Sequence, residues 1–109
     1  MNGLAEIKRR FREFAEGDEE GVDGLISRFF KTNADHWKAL EVAVKSKDAR
    51  EIERVAHGAI GACDMFGLST LSSLLRGLER SVGRGDLASA GTVLDEIRAE
   101  DERIRSGLA

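Results

Sequence analysis

The chain has 109 residues, 41% of them hydrophobic and 34% charged, with a formal net charge of −3 and no proline. That length suits one domain over residues 1–109 that folds without metal or disulfide support, and the acidic balance excludes a general pull toward nucleic acid or anionic membranes. A single cysteine, Cys63, rules out an internal disulfide and the paired-cysteine zinc patterns.

Every long segment repeats its apolar residues at helical rather than alternating spacing. Leu4, Ile7, Phe11 and Phe14 fall three and four apart and predict a first helix over residues 3–16. Lys8, Arg9, Arg10 and Arg12 interleave with that stripe, so this basic cluster reads as the polar side of an amphipathic helix. Gly17 breaks the pattern, and Asp18 is placed to cap the next helix. That second helix is expected from residue 19 or 23 to residue 46, on Val22, Ile26, Phe29, Phe30, Trp37, Leu40 and Val44. Asn33 stands in this stripe where an apolar residue is due.

Ser46, Lys47 and Asp48 form a turn, and Asp48 with Glu51 has capping-box spacing. The third helix is expected over residues 49–65, with Gly67 as its stop. A fourth is expected over residues 68–82 on Leu68, Leu71, Leu74, Leu75, Leu78 and Val82. The run Gly83-Arg84-Gly85-Asp86 offers a glycine stop and then an N-cap aspartate for a last helix from Leu87 to Arg105. Short connections place successive helices antiparallel. The expected fold is therefore all-α, an up-and-down antiparallel four-helix bundle with a short additional N-terminal helix.

No apolar run approaches the roughly 20 residues that span a bilayer, and the N-terminal segment lacks a signal-type apolar core. The expected location is the cytosol. Neither end has linker composition, which leads to the expectation of a freestanding protein.

The third helix carries an anomaly. Ile52, Val55, Ala56, Ala59, Cys63 and Phe66 are spaced for one buried face, and His57 falls roughly 140° from its centre. Glu53, Arg54, Gly61 and Asp64 share the side of His57. Gly58 and Gly61 sit mid-helix at a propensity cost of about 1–2 kcal/mol together. Close approach of another surface beside His57, helix packing through small residues, or tolerance each account for them. Imidazole is the side chain that titrates nearest neutrality, so an exposed one offers a nucleophilic ring nitrogen while the other needs an acceptor.

These residues carry a resemblance. Residues 56–104, with Ala56-His57, Gly61, Ala62, Gly67, Leu71, Leu74, Leu78-Glu79 and the Gly85-Asp86-Leu87 turn, resemble the histidine-containing phosphotransfer (HPt) domain. Residues 25–57 are similar to that family's long second helix and its entry to the histidine helix. The resemblance implies that His57 is the phosphoacceptor, most often on Nε2, with Glu79 orienting the ring and Gly61 leaving room for a receiver domain. The family usually has lysine where this chain has Ile60, which removes a cation one turn from the nucleophile. Arg54, three residues before His57 on the same helix, is placed to substitute in part, as are Arg76 and Arg80.

Gly58, Ile60 and Asp64 are expected to dock the partner, with Ile60 contributing an apolar patch to which Met65 or Phe66 would add; core packing is the plainer role for the last two. The expected partners are a response-regulator receiver domain, a hybrid histidine kinase, or both, with no nucleic acid and no membrane. The chain is expected to act as a monomer. It has no glycine-rich nucleotide loop, so the expectation is a phosphocarrier without autokinase activity and without a cofactor of its own, Mg²⁺ being the receiver's. The alternative is an HPt-like module that binds receivers or kinases without carrying phosphate. A metal bundle is disfavoured, because Glu53 and His57 are four apart rather than three and no second pair exists. His36 receives no role.

Overall fold

In the computed structural model, which describes residues 3–109, the helical spacing resolves into five helices. They are α1 (Leu4–Phe14), α2 (Glu19–Lys45), α3 (Ala49–Met65), α4 (Ser69–Gly83) and α5 (Ala90–Leu108), with no strand among the described residues. Met1 and Asn2 of the expected domain lie outside the described residues. Helices α2 to α5 form the up-and-down bundle: α3 packs on α2 and most extensively on α4, and α5 closes the ring against α4 and α2. The short α1 lies on α2 and α5.

With no proline, the chain reverses through left-handed residues just past the helix ends. After α3, Gly67 has φ +75°, Leu68 N–H donates to Cys63 C=O at 2.8 Å, and Gly67 N–H donates to Asp64 C=O at 3.2 Å. Gly85 after α4 repeats the motif at φ +83°. After α2 the same position is Lys47 at φ 54°, a conformation that costs a side-chain-bearing residue about 1–2 kcal/mol. The Asp48 amide is consumed there by Ala43 C=O, at 2.9 Å. Only one arm of the capping box therefore forms: Asp48 Oδ1 accepts from Glu51 N–H at 3.2 Å, while the Glu51 side chain turns to Arg54.

Two expected caps are corrected. Asp18 occupies the N-cap of α2 without its carboxylate accepting an amide. Asp86 does not start α5, which begins four residues later at Ala90. Its carboxylate instead accepts from Ala88 N–H at 3.2 Å and from Ser89 Oγ at 3.1 Å, so local side-chain bonds hold residues 86–89 as a turn.

The core runs through the bundle and gathers its phenylalanines into one cluster. Phe11 stacks on Phe66 with ring centres 4.0 Å apart, and Phe29 meets both edge-on, at 5.5 and 5.3 Å. Phe66 thus belongs to the core, whereas Met65 is 50% exposed. The arginines of α1 are spent on ion pairs: Arg9 with Glu6 and Glu13, Arg10 with Glu6, and Arg12 with Glu19.

Asn33 is buried because it has a partner. Its Nδ2 donates to Asp101 Oδ1 of α5 at 3.1 Å, and the Trp37 indole is turned toward the same carboxylate at longer range. Burial pushes the Asp101 carboxyl above its ordinary value, against the opposing pull of Asn33, Trp37 and Arg105. The folded state therefore binds this proton more tightly than the unfolded chain. The stabilisation this group contributes is complete below the ordinary aspartate range and is lost as pH rises through the raised folded value. Asp101→Asn keeps an acceptor and offers a donor to Asn33 Oδ1, which has no partner. The variant should gain on the native chain in melting temperature as pH rises above the ordinary aspartate range, about pH 4, and the buried charge forms. A difference between the two that stays constant with pH would refute this account.

Candidate functional site

Helix α3 divides sharply. Ile52, Val55, Ala56, Ala59, Ile60 and Cys63 are buried, and His57 stands on the other side with 82% of its side chain exposed. The apolar face of α4, formed by Leu71, Leu75, Leu78 and Val82, packs against the same core. This antiparallel seam sets up a ladder along its outer edge. Asp64 pairs with Arg76, His57 faces Glu79, and a Cβ on Gly83 would come within 3.7 Å of Glu53 Oε1.

Glu79 is the half-buried rung, 28% exposed, and its Oε2 lies 3.6 Å from His57 Nδ1. That is long for a hydrogen bond to a neutral ring and short enough for an ion pair with a charged one. The carboxylate faces the Nδ1 side of the ring, and the rest of the imidazole is turned to solvent. An open hollow beside the ring is walled by Arg50, Glu53, Arg54 and Glu79.

The remaining residues expected at the site separate into three groups. Gly58 and Gly61 are exposed, and a Cβ at either would meet nothing within 4 Å. Helix packing through small residues is thus excluded as their reason, and the face beside His57 is bare. Arg54 lines the hollow but is held by Glu51, Nε to Oε2 at 3.0 Å and Nη2 to Oε1 at 2.5 Å. Asp64 is exposed, and its carboxyl is held below the usual range by the Ser72 hydroxyl and then by Arg76. Arg76 is committed to that pair, and Arg80 does not line the hollow.

Ile60 is a correction. It is 8% exposed, so it forms no apolar docking patch beside the nucleophile. Three residues past His57, it is rotated about 60° back toward α4 and enters the α3–α4 seam. Arg50 went unread in the sequence, although a spacing of seven residues before His57 places it on the same side of the helix. Cys63 is no second nucleophile, since burial pushes its thiol up to about 12, with Asp101 and Asp64 adding to the shift. His36 is partly buried, which lowers its pKa, and no group of three potential metal ligands gathers among the described residues.

A family model described as the Hpt domain matches residues 24–107, from within α2 to near the end of α5. The chain belongs to the Hpt domain family. Its fold is similar to that of histidine-containing phosphotransfer protein B (HptB) from Pseudomonas aeruginosa PAO1, with a TM-score of 0.82 at 23% identity over 92% of this chain and 87% of that one. No curated protein gives a significant match. The Hpt match starts beyond α1, which the bundle carries on α2 and α5. No helix among the described residues is long and apolar enough to cross a membrane.

The bare face of this Hpt domain has a thermodynamic signature. Alanine at Gly58 or Gly61 meets no obstacle and removes glycine's helix penalty, so each of Gly58→Ala and Gly61→Ala should stabilise the fold by about 0.5–1 kcal/mol. Thermal melts of the two variants check this, and a loss of stability in either would show a packing role for that glycine.

Proposed function

We propose that the chain is a histidine phosphotransfer protein, in which His57 takes a phosphoryl group from a receiver-domain aspartate and returns it to another. The observation that carries this reading is the exposed imidazole with its Nδ1 side set against Glu79. In the transfer, the Nε2 lone pair attacks phosphorus, the bond from phosphorus to the aspartyl oxygen breaks, and the carboxylate leaves with that electron pair. Such a step depends on in-line positioning and on neutralising charge rather than on covalent help from the carrier. Mg²⁺ held by the receiver supplies charge neutralisation at the aspartyl phosphate.

The proton on Nδ1 stays in place throughout, so the ring becomes cationic as the Nε2–P bond forms. Glu79 therefore contributes more to the phosphorylated state than to the free one, which is how a merely adjacent carboxylate favours the product. The bare glycines Gly58 and Gly61, with Asp64 at the edge, form the surface over which a receiver approaches. The chain acts as a monomer and takes its phosphate only from such a partner, a receiver or the receiver of a hybrid kinase.

Incubation with a phosphorylated receiver should place acid-labile label on the native chain and none on His57→Gln. Label that persists in the variant would remove His57 from the role. A native chain that binds the receiver but stays unlabelled would make it an interaction module without transfer. Glu79→Gln keeps an acceptor but loses the charge, and an exposed pair of this kind is worth about 1 kcal/mol or less. The equilibrium between phosphohistidine and aspartyl phosphate should accordingly shift toward the receiver by about two- to fivefold. An unchanged equilibrium would deny Glu79 its part.

A further inference from the structure

The phosphoryl group that His57 would carry brings up to two negative charges into the hollow beside it, and the cations near that hollow are not equally free. Position 60 offers none, because Ile60 is apolar and buried. Arg76 is bound to Asp64, and Arg54 is forked onto Glu51 by two hydrogen bonds. Arg50 also walls the hollow, is exposed, and makes no ion pair or side-chain hydrogen bond among the described residues.

Its position is informative for a second reason. Arg50 lies in the first turn of α3, where the positive end of the helix dipole makes a cation mildly unfavourable. The fold gains nothing visible from an arginine there. Two turns separate it from His57, about 10.5 Å along the axis and only about 20° around it. An imidazole bearing a phosphoryl group on one side and an extended arginine on the other bridge that distance between them.

We infer that Arg50 is the cation that meets the phosphoryl oxygens on His57, replacing the charge that Ile60 lacks, since Arg54 is already paired with Glu51 while Arg50 is not. This inference rests on the phosphotransfer reading above. Arg50 changes no bond and gives up no proton. Its planar guanidinium offers paired N–H donors to two phosphoryl oxygens as the Nε2–P bond forms.

The test uses the full chain and two donors, phosphoramidate as a small phosphodonor and a phosphorylated receiver. With phosphoramidate, Nε2 displaces ammonia from phosphorus, so no docking surface is involved. The rate of acid-labile labelling at His57 is compared for the native chain, Arg50→Ala, Arg50→Lys and Arg54→Ala. Arg50→Ala should slow labelling from both donors about tenfold, with a melting temperature equal to or above the native one. Arg50→Lys should recover to within about threefold of native, because lysine keeps the charge but not the fork, and Arg54→Ala should stay within about twofold. Native-like labelling by Arg50→Ala would overturn the assignment while leaving phosphotransfer intact. An Arg54→Ala defect as large as that of Arg50→Ala would overturn it in favour of Arg54. A native chain that takes no label at His57 from either donor would overturn the phosphotransfer reading, and this inference with it.

Discussion

Packing between α3 and α4 decides where every group at the site can be. Ile52, Val55, Ala56, Ala59, Ile60 and Cys63 go inward together with Leu71, Leu75 and Leu78. At about 0.8 kcal/mol per buried CH₂, no single surface interaction competes with that seam in setting the rotation of α3. His57 is carried outward as a consequence, and the antiparallel register brings Glu79 to its Nδ1 side. The geometry of the His57–Glu79 pair is thus inherited from the core and needs no strained backbone of its own.

The same seam explains why the chemistry is left incomplete. In the proposed relay the phosphoryl group must be given up again, so strong enclosure by the chain's own side chains would oppose the return step. The site is accordingly open, with two bare glycines near the ring and one carboxylate 3.6 Å from its Nδ1. In the proposed relay, the metal-lined acidic pocket is the receiver's contribution.

Away from the site, the polar contacts are mostly local ion pairs three or four residues apart on exposed helix faces, worth a few tenths of a kcal/mol each. The exception is the Asn33–Asp101 bond, which spans α2 and α5 inside the bundle. It accepts the burial of a carboxyl in return for fixing which faces of these two helices meet, a use of buried polarity that a uniformly apolar stripe would not provide.

The sequence alone determined the helices and the exposure of His57, because apolar spacing is a one-dimensional record of burial and each stripe here is long. It also located the Gly67 stop, a local requirement of backbone conformation. Its errors fell where several elements must be known at once. Ile60 looked available beside the histidine until α4 occupied that side of α3, and Asn33 looked out of place until Asp101 arrived from 68 residues away. Asp86 had the composition of a cap, but side-chain bonds to Ala88 and Ser89 won within the turn. Which arginine remains free was likewise decided in three dimensions, because Glu51 and Asp64 had first to choose their partners. Burial follows from periodicity, whereas pairing follows from register and rotation between helices, and those exist only once the bundle has closed.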